Sequence, residues 1–232
     1  MSQDLKTIWN REYKARRFMS GEKPQKSVLH FAKFLKKELG LRGKDLPFEG
    51  LKVLDLGSGE GKNAAYFAER GAKVYAIEIS SVAHKRAKEN FDHLNIEFIN
   101  DSFAKTLPFQ ENFFDIVLDV TSSNSLSKEQ REVYLKEVAR SLKPGGFFFI
   151  RALLLDGDKN AKRLLKEHPG KESGTYVLPG VGLQEKVFSL QEFKALYSRY
   201  FKIIKIEKET HYSKFSKRSF KRNFIVAYMQ KV

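Results

Sequence analysis

The sequence predicts an α/β fold, a mostly parallel sheet with helices on both faces. Three observations predict it. Short apolar runs of strand length alternate with stretches of helical periodicity from residue 51 to residue 155. The first run ends in a glycine-rich turn, Gly57-Ser58-Gly59-Glu60-Gly61, that leads straight into a helix. The chain has 232 residues, 41% hydrophobic and 13% aromatic, which suits one α/β domain with additions and excludes a mainly disordered protein.

In chain order, Trp9 to Phe18 reads as a short basic amphipathic helix. Val28 to Leu39 reads as a second, with Phe31, Ala32, Phe34 and Leu35 alternating with lysines. Residues 40–50 form a linker. Strands follow at 51–56, 72–78, 96–100, 113–119 and 146–155, with helices at about 61–70, from Ser80 to Phe91 and from Ser127 to Leu142. The last of these helices opens with the capping pattern Ser127-x-x-Gln130. Residues 156–188 read as irregular, a helix runs from Ser189 to about Tyr200, and two final strands occupy 202–211 and 224–229. The division is an N-terminal helical lid and linker over 1–50 and the α/β domain over 51–232.

Composition closes several routes. With no cysteine, there is no disulfide framework, thiolate zinc site or cysteine nucleophile. The longest apolar stretch, Phe147 to Leu155, is interrupted by Arg151 and is far below the roughly 20 residues that span a bilayer. The expected location is the cytoplasm, with no membrane partner. The net charge of +15 sits at the two ends: residues 1–44 carry 12 basic and 4 acidic side chains, residues 202–232 carry 9 and 2, and the middle is balanced. Such ends are either a solvated lysine-rich surface or a rim that attracts anions.

The glycine-rich turn carries the chemistry. Its glycines let the backbone turn sharply and approach a ligand at the C-terminal edge of the sheet, where open α/β folds bind small molecules. The second strand ends in Glu78, 19 residues after Gly59, where a carboxylate can accept both hydroxyls of a ribose. The third ends in Asn100-Asp101-Ser102-Phe103, which offers a carboxylate and a ring to an adenine. Asp55 before the turn and Glu60 within it would repel a pyrophosphate and favour a cation, so a dinucleotide is disfavoured. The Walker pattern fails because Gly61-Lys62 is followed by Asn63.

On these residues the sequence resembles the class I S-adenosylmethionine-dependent methyltransferases. The matching blocks are VLDLGSGEG (53–61), AIEIS (76–80), NDSF (100–103), LPFQENFFDIVLDV (107–120) and LKPGGFFFI (142–150). Through Trp9-x-x-x-Tyr13 and GAKVYAIEIS it is most similar to the small-molecule enzymes of the thiopurine and tellurite-resistance type. The resemblance implies a Rossmann-like seven-stranded sheet with an antiparallel last strand. It also implies a cofactor, S-adenosylmethionine, whose product is S-adenosylhomocysteine. Gly57, Gly59 and Gly61 would then contact the methionine portion through their backbone, and Trp9, Asp55, Ser58 and Asn63 are also expected to bind the cofactor. Glu78 would hold the ribose and Ile79 the adenine face. Asp101, Ser102 and Phe103 would read the adenine edge, and Asp119 and Val120 would flank the methionine amine and the methyl group.

In place of the Asn/Asp-Pro-Pro-Tyr run of amino-methyltransferases stands Asp119-Val120-Thr121-Ser122, which disfavours adenine-N6 and glutamine transfer. If the acceptor must lose a proton, Tyr13, Asp119 and His211 are the candidate bases. Asp156, Asp158 and Asn160 with Asp119 could form an oxygen-ligand metal site, but a helix cap is the preferred reading and no metal is assigned. In the resembled fold, the final two strands make a hairpin whose basic turn, 211–222, emerges at the cofactor edge, and residues 156–188 could form a lid with Gly180 and Gly182 as flexible points. The expected partner is a small anionic or aromatic acceptor, bound by a monomer or homodimer. The alternatives are an RNA or protein substrate attracted by the basic rim, and a cofactor-binding module without catalysis.

Overall fold

A computed structural model of the chain describes residues 4–16, 23–41, 47–215 and 218–232. Five strands come first: β1 (Lys52–Leu56), β2 (Lys73–Ile77), β3 (Ile96–Ile99), β4 (Phe114–Val120) and β5 (Leu142–Leu153). A small hairpin, β6 (Thr175–Val177) and β7 (Gln184–Lys186), precedes the long β8 (Lys202–Phe215) and β9 (Arg218–Gln230). The main sheet has seven strands in the order β3-β2-β1-β4-β5-β9-β8. Strands β1 to β5 pair in parallel, and β9 is antiparallel to both neighbours. The strand order reverses beside β1, which opens a crevice at the C-terminal ends of β1 and β4. In register, Leu56 lies beside both Ile77 and Asp119, so the residues that follow these strands meet at one edge.

The strands bury both faces, which explains their near-continuous apolar runs. One face is covered by α5 (Lys128–Ser141) and α7 (Leu190–Tyr197), which bury Tyr134, Leu135, Val138, Phe193 and Tyr197. The other is covered by α2 (Lys26–Glu38) and α3 (Lys62–Ala68). The predicted capping box of α5 forms: Ser127 Oγ accepts from the Gln130 N–H at 3.2 Å, and Gln130 Oε1 accepts from the Ser127 N–H at 3.0 Å.

Residues 1–50 do not act as one lid. In α2, Val28, Phe31, Ala32 and Leu35 are fully buried, and the Phe31 ring lies 5.1 Å from Phe149 of β5 and 5.0 Å from Tyr228 of β9. This helix is a core layer; truncating Phe31 to Ala would cost about 3–5 kcal/mol. Over the sheet edge stands α1 (Leu5–Lys14), against α4 (Ser81–Phe91). The predicted end of the first helix, Phe18, and residues 42–46 of the linker lie outside the described residues.

The stretch 156–188 is also more ordered than its prolines and glycines suggest. It contains α6 (Lys159–Glu167), which buries only Ala161 and Leu164, and the β6–β7 hairpin, whose strands are three residues each. Elements this short leave almost no periodic signal. Asp158 accepts from the Ala161 N–H at 2.8 Å and from the Asn223 N–H at 3.0 Å, so it caps α6 and ties it to β9. Among the described residues, no helix is long and apolar enough to cross a membrane.

Candidate functional site

A cavity of about 370 Å³ lies at the point where the strand order reverses, within the size range of small-molecule sites. Of the residues singled out in the sequence, Trp9, Tyr13, Gly57, Ser58, Gly59, Asn63, Glu78, Ile79, Phe103 and Val120 line it. They come from α1, the turn after β1, and the ends of β2, β3 and β4. The chain brings them together because the parallel register places all these strand ends on one edge.

Glu78 is the organising side chain. It is 5% exposed, and its carboxylate accepts from the Gly59 N–H at 2.8 Å and the Ser80 N–H at 2.7 Å. Burial pushes its pKa above the usual carboxylate range, while these N–H groups pull the other way. Asn100 donates to the Glu78 carbonyl at 2.7 Å and so fixes the backbone behind it.

Beneath the turn, Asp55 is 1% exposed and its Oδ2 has no hydrogen-bond partner among the described residues. Burial, with the nearby Asp119 and Glu78 charges, raises its pKa to about 7, so it is a weaker acid than usual. Ser58, on the cavity wall, likewise has a buried Oγ without a partner. Two orphaned oxygens and the enclosed Glu78 form a donor set that is acidic and acceptor-rich. It fits a cationic adenosine cofactor and opposes a pyrophosphate.

The glycines serve packing as well as approach. Gly57 and Gly59 have φ of 66° and 57°. A Cβ on Gly57 would stand 2.3 Å from Ser122 Oγ, and one on Gly59 would stand 2.7 Å from the Tyr13 hydroxyl. Gly61 turns away from the cavity: its Cβ would meet Ala87, Phe91 and Phe98 at 3.1–3.4 Å. Glu60 also turns away, to Arg86 at 3.1 Å and Lys62 at 3.3 Å, so its charge is neutralised outside the cavity.

Several predicted side chains stand elsewhere. Asp101 pairs with Lys105 at 2.6 Å, which lowers its pKa, and neither it nor Ser102 lines the cavity. Asp119 is fully buried, accepting from Tyr134 Oη at 2.7 Å and the Ser122 N–H at 2.9 Å, and burial raises its pKa. Its carboxylate organises the 119–123 loop from below instead of facing an acceptor. The Tyr13 hydroxyl does face the cavity, but burial and the Glu78 and Glu60 charges hold it well above the ordinary tyrosine value, so it stays protonated. His211 is exposed on β8, away from the cavity lining.

The structure adds Lys23, Gln25, Lys62, Thr121, Ser122 and Arg151 to the walls. Arg151 had a sequence signal, because a cation interrupting a strand buried on both faces needs a partner or a purpose. Thr121 had none; it adopts φ of 64°, a strained value for a β-branched residue, directly on the cavity wall.

Residues 53–146, from β1 to the start of β5, match the family described as "Methyltransferase domain". Over 102 residues, 43% of the chain, the sequence is 36% identical to the fatty-acid O-methyltransferase of Mycolicibacterium smegmatis. That stretch spans 36% of the relative's length. A SAM-dependent methyltransferase from Methanosarcina mazei is similar in structure with a TM-score of 0.68 at 24% identity, covering 84% of this chain and 97% of that one. The 1,6-didemethyltoxoflavin-N1-methyltransferase of Burkholderia thailandensis, solved with its acceptor and S-adenosylhomocysteine, gives 0.67 at 18% identity, covering 98% and 87%. These likenesses establish the fold, and the family match covers the strand ends that build the cavity. Over residues 53–146 the chain is thus similar to a methyltransferase domain, and its fold is that of the S-adenosylmethionine-dependent methyltransferase from Methanosarcina mazei.

Proposed function

We propose that the protein is an enzyme that transfers the methyl group of S-adenosylmethionine to a small anionic or aromatic acceptor. The observation that carries this reading is the buried Glu78 carboxylate, clasped by the Gly59 N–H at 2.8 Å inside a cavity walled by Trp9, Ile79 and Phe103. A carboxylate held this way retains lone pairs for a ribose diol, and the apolar walls suit an adenine.

When bound, the cofactor supplies a methyl group on a sulfonium, an electrophile that needs no further activation. The protein's part is orientation and exclusion of water. Gly57 and Gly59 bring backbone close to the ligand, the Asp55 field favours its positive charges, and α1 closes the outer side through Trp9 and Tyr13. The similarity to a fatty-acid O-methyltransferase agrees with an anionic acceptor. So does the β8–β9 hairpin, which runs six residues beyond its last pairing with β5 at Phe224 and exposes Lys208, His211, Tyr212 and Lys221 at that edge.

Incubation with methyl-labelled S-adenosylmethionine and fractionated extract tests the reading. Label is expected in small metabolites. Label confined to RNA or protein would replace the small acceptor with a macromolecular one, and failure to bind S-adenosylhomocysteine would end the reading.

A further inference from the structure

We infer that Arg151 is the acceptor-anchoring residue and that the acceptor presents a carboxylate, which is methylated on oxygen. This rests on the methyl-transfer reading above and assigns it a substrate class.

Arg151 lies near the C-terminal end of β5, paired in register with Val120 of β4. It is 7% exposed, yet it lines the cavity. Its Nε and Nη2 donate to one oxygen of Glu209 at 3.0 and 2.7 Å, and its guanidinium stacks 3.4 Å from the Phe224 ring centroid. The Nη1 group has no hydrogen bond among the described residues. Two of the fork's five N–H bonds are thus donated to Glu209, and together with the Phe224 stack they hold the guanidinium in place. That is how a guanidinium is prepared to receive a planar oxyanion. Taking an arginine out of water costs several kcal/mol, and a hydrophobic residue would serve packing at least as well.

Position separates this cation from the cofactor's nucleoside end. Glu78 follows β2, and Arg151 sits three strands across, on β5. At about 4.8 Å per strand that is roughly 14 Å, the acceptor side of Val120 and Thr121.

The absence of a suitable base among the described lining residues points to the same chemistry. Tyr13 is held protonated, Asp119 is sealed under the loop, and Glu78 is committed to backbone N–H groups. An alcohol or a protonated amine would have to lose a proton here. A carboxylate would not. Its oxygen forms a bond to the methyl carbon as the carbon–sulfur bond breaks, and the bonding pair leaves with sulfur. The carboxylate charge and the sulfonium charge cancel, giving a neutral methyl ester and a neutral thioether with no proton to move. Arg151 orients the oxygen that is not attacked, and the Tyr13 phenol requires no ionisation.

The test uses the full chain saturated with S-adenosylhomocysteine and titrated calorimetrically with octanoate and benzoate, against octanol and benzyl alcohol. Wild type is expected to bind at least one acid at least tenfold more tightly than its alcohol. Because Arg151→Met alone would leave Glu209 half-buried and unpaired, the principal variant is Arg151→Met with Glu209→Gln, and Arg151→Lys is the second. Both should bind S-adenosylhomocysteine as wild type does. The double variant should lose the acid preference, and Arg151→Lys should keep part of it. An equal loss of S-adenosylhomocysteine affinity would assign Arg151 to the cofactor's own carboxylate and overturn the inference. So would a wild-type protein with no preference for either acid. Failure of wild type to bind S-adenosylhomocysteine at all would instead remove the underlying reading, and this inference with it.

Discussion

The backbone N–H of Gly59 donates to the side chain of Glu78 at 2.8 Å, so the glycine-rich turn and the acidic end of the neighbouring strand form one unit. The 19-residue spacing seen in the sequence is therefore a contact as well as a ligand-binding pattern. Glu78→Gln keeps the size but replaces a charged acceptor with a neutral one. We expect it to weaken S-adenosylhomocysteine binding by roughly 1–3 kcal/mol and to lower the protein's own stability, because the turn loses its charge-assisted anchor. Calorimetry together with a thermal melt checks both; unchanged affinity would remove Glu78 from the ribose assignment.

Asp55 links the site to pH. Burial and the Asp119 and Glu78 charges raise its pKa to about 7, against about 3.9 for an unfolded chain. A carboxyl group raised in this way contributes stability that is complete below about pH 3.9 and is lost as pH climbs through 7. The cofactor-free protein should therefore lose stability through this group as pH rises from about 4 to about 7, and the loss should level off above that. A bound cation favours the ionised form, so cofactor affinity should rise over the same interval and binding should release a proton near pH 6.5. Asp55→Asn should abolish both trends. Titration in two buffers of different ionisation enthalpy measures the proton, and equal apparent enthalpies would count against the assignment.

The α1 helix closes the cavity through few contacts. Asn10 Oδ1 accepts from Ser80 Oγ at 2.9 Å and the Val82 N–H at 3.3 Å, and Ile8 packs on Val181 and Leu183 in the loop between β6 and β7. Arg11 donates to the Val181 carbonyl. We predict that Asn10→Ala with Ile8→Ala loosens α1 without unfolding the sheet, since neither residue belongs to the two large core clusters. Amide exchange in residues 5–14 should accelerate while exchange in β1 and β4 stays slow, and cofactor affinity should fall severalfold. Uniform acceleration throughout the chain would mean that α1 is part of the global folding unit.

The sheet was legible because its strands are buried on both faces and separated by helices with a clear apolar stripe. The cofactor edge was legible because Gly57, Gly59, Glu78 and Phe103 lie at strand ends that parallel pairing must align. What escaped was whatever depends on side-chain direction. Asp101, Glu60 and Asp119 stand at the predicted strand ends, yet Lys105, Arg86 and Tyr134 draw their carboxylates elsewhere. Position along a strand sets the edge a residue reaches; its partner decides whether it faces the cavity. Likewise α2 reads as an amphipathic lid helix, and only the aromatic contacts of Phe31 with Phe149 and Tyr228 identify it as core.

The basic hairpin gives the last prediction. β8 and β9 continue in register from Phe224 to the Phe215–Arg218 pair, beyond the reach of β5, and Tyr212 near that end is 65% exposed. Lys208 and Lys221 are exposed on this hairpin, whose Glu209 pairs with Arg151 of the cavity wall at 2.7 Å. Lys208→Glu with Lys221→Glu reverses two exposed charges and should change stability by no more than about 0.5 kcal/mol. An incoming anion would then meet a repulsive field, so kcat/KM should fall while S-adenosylhomocysteine affinity stays near wild type. Salt distinguishes a small acceptor from RNA in the same assay. A small anion meeting one or two cations gives a shallow dependence, whereas RNA releasing counterions from six or more phosphates should lose about 10³-fold in affinity between 50 and 200 mM salt. An unchanged kcat/KM in the reversed variant, measured with the acceptor found by labelling, would reduce the hairpin to a solvated surface and leave acceptor capture to the cavity itself.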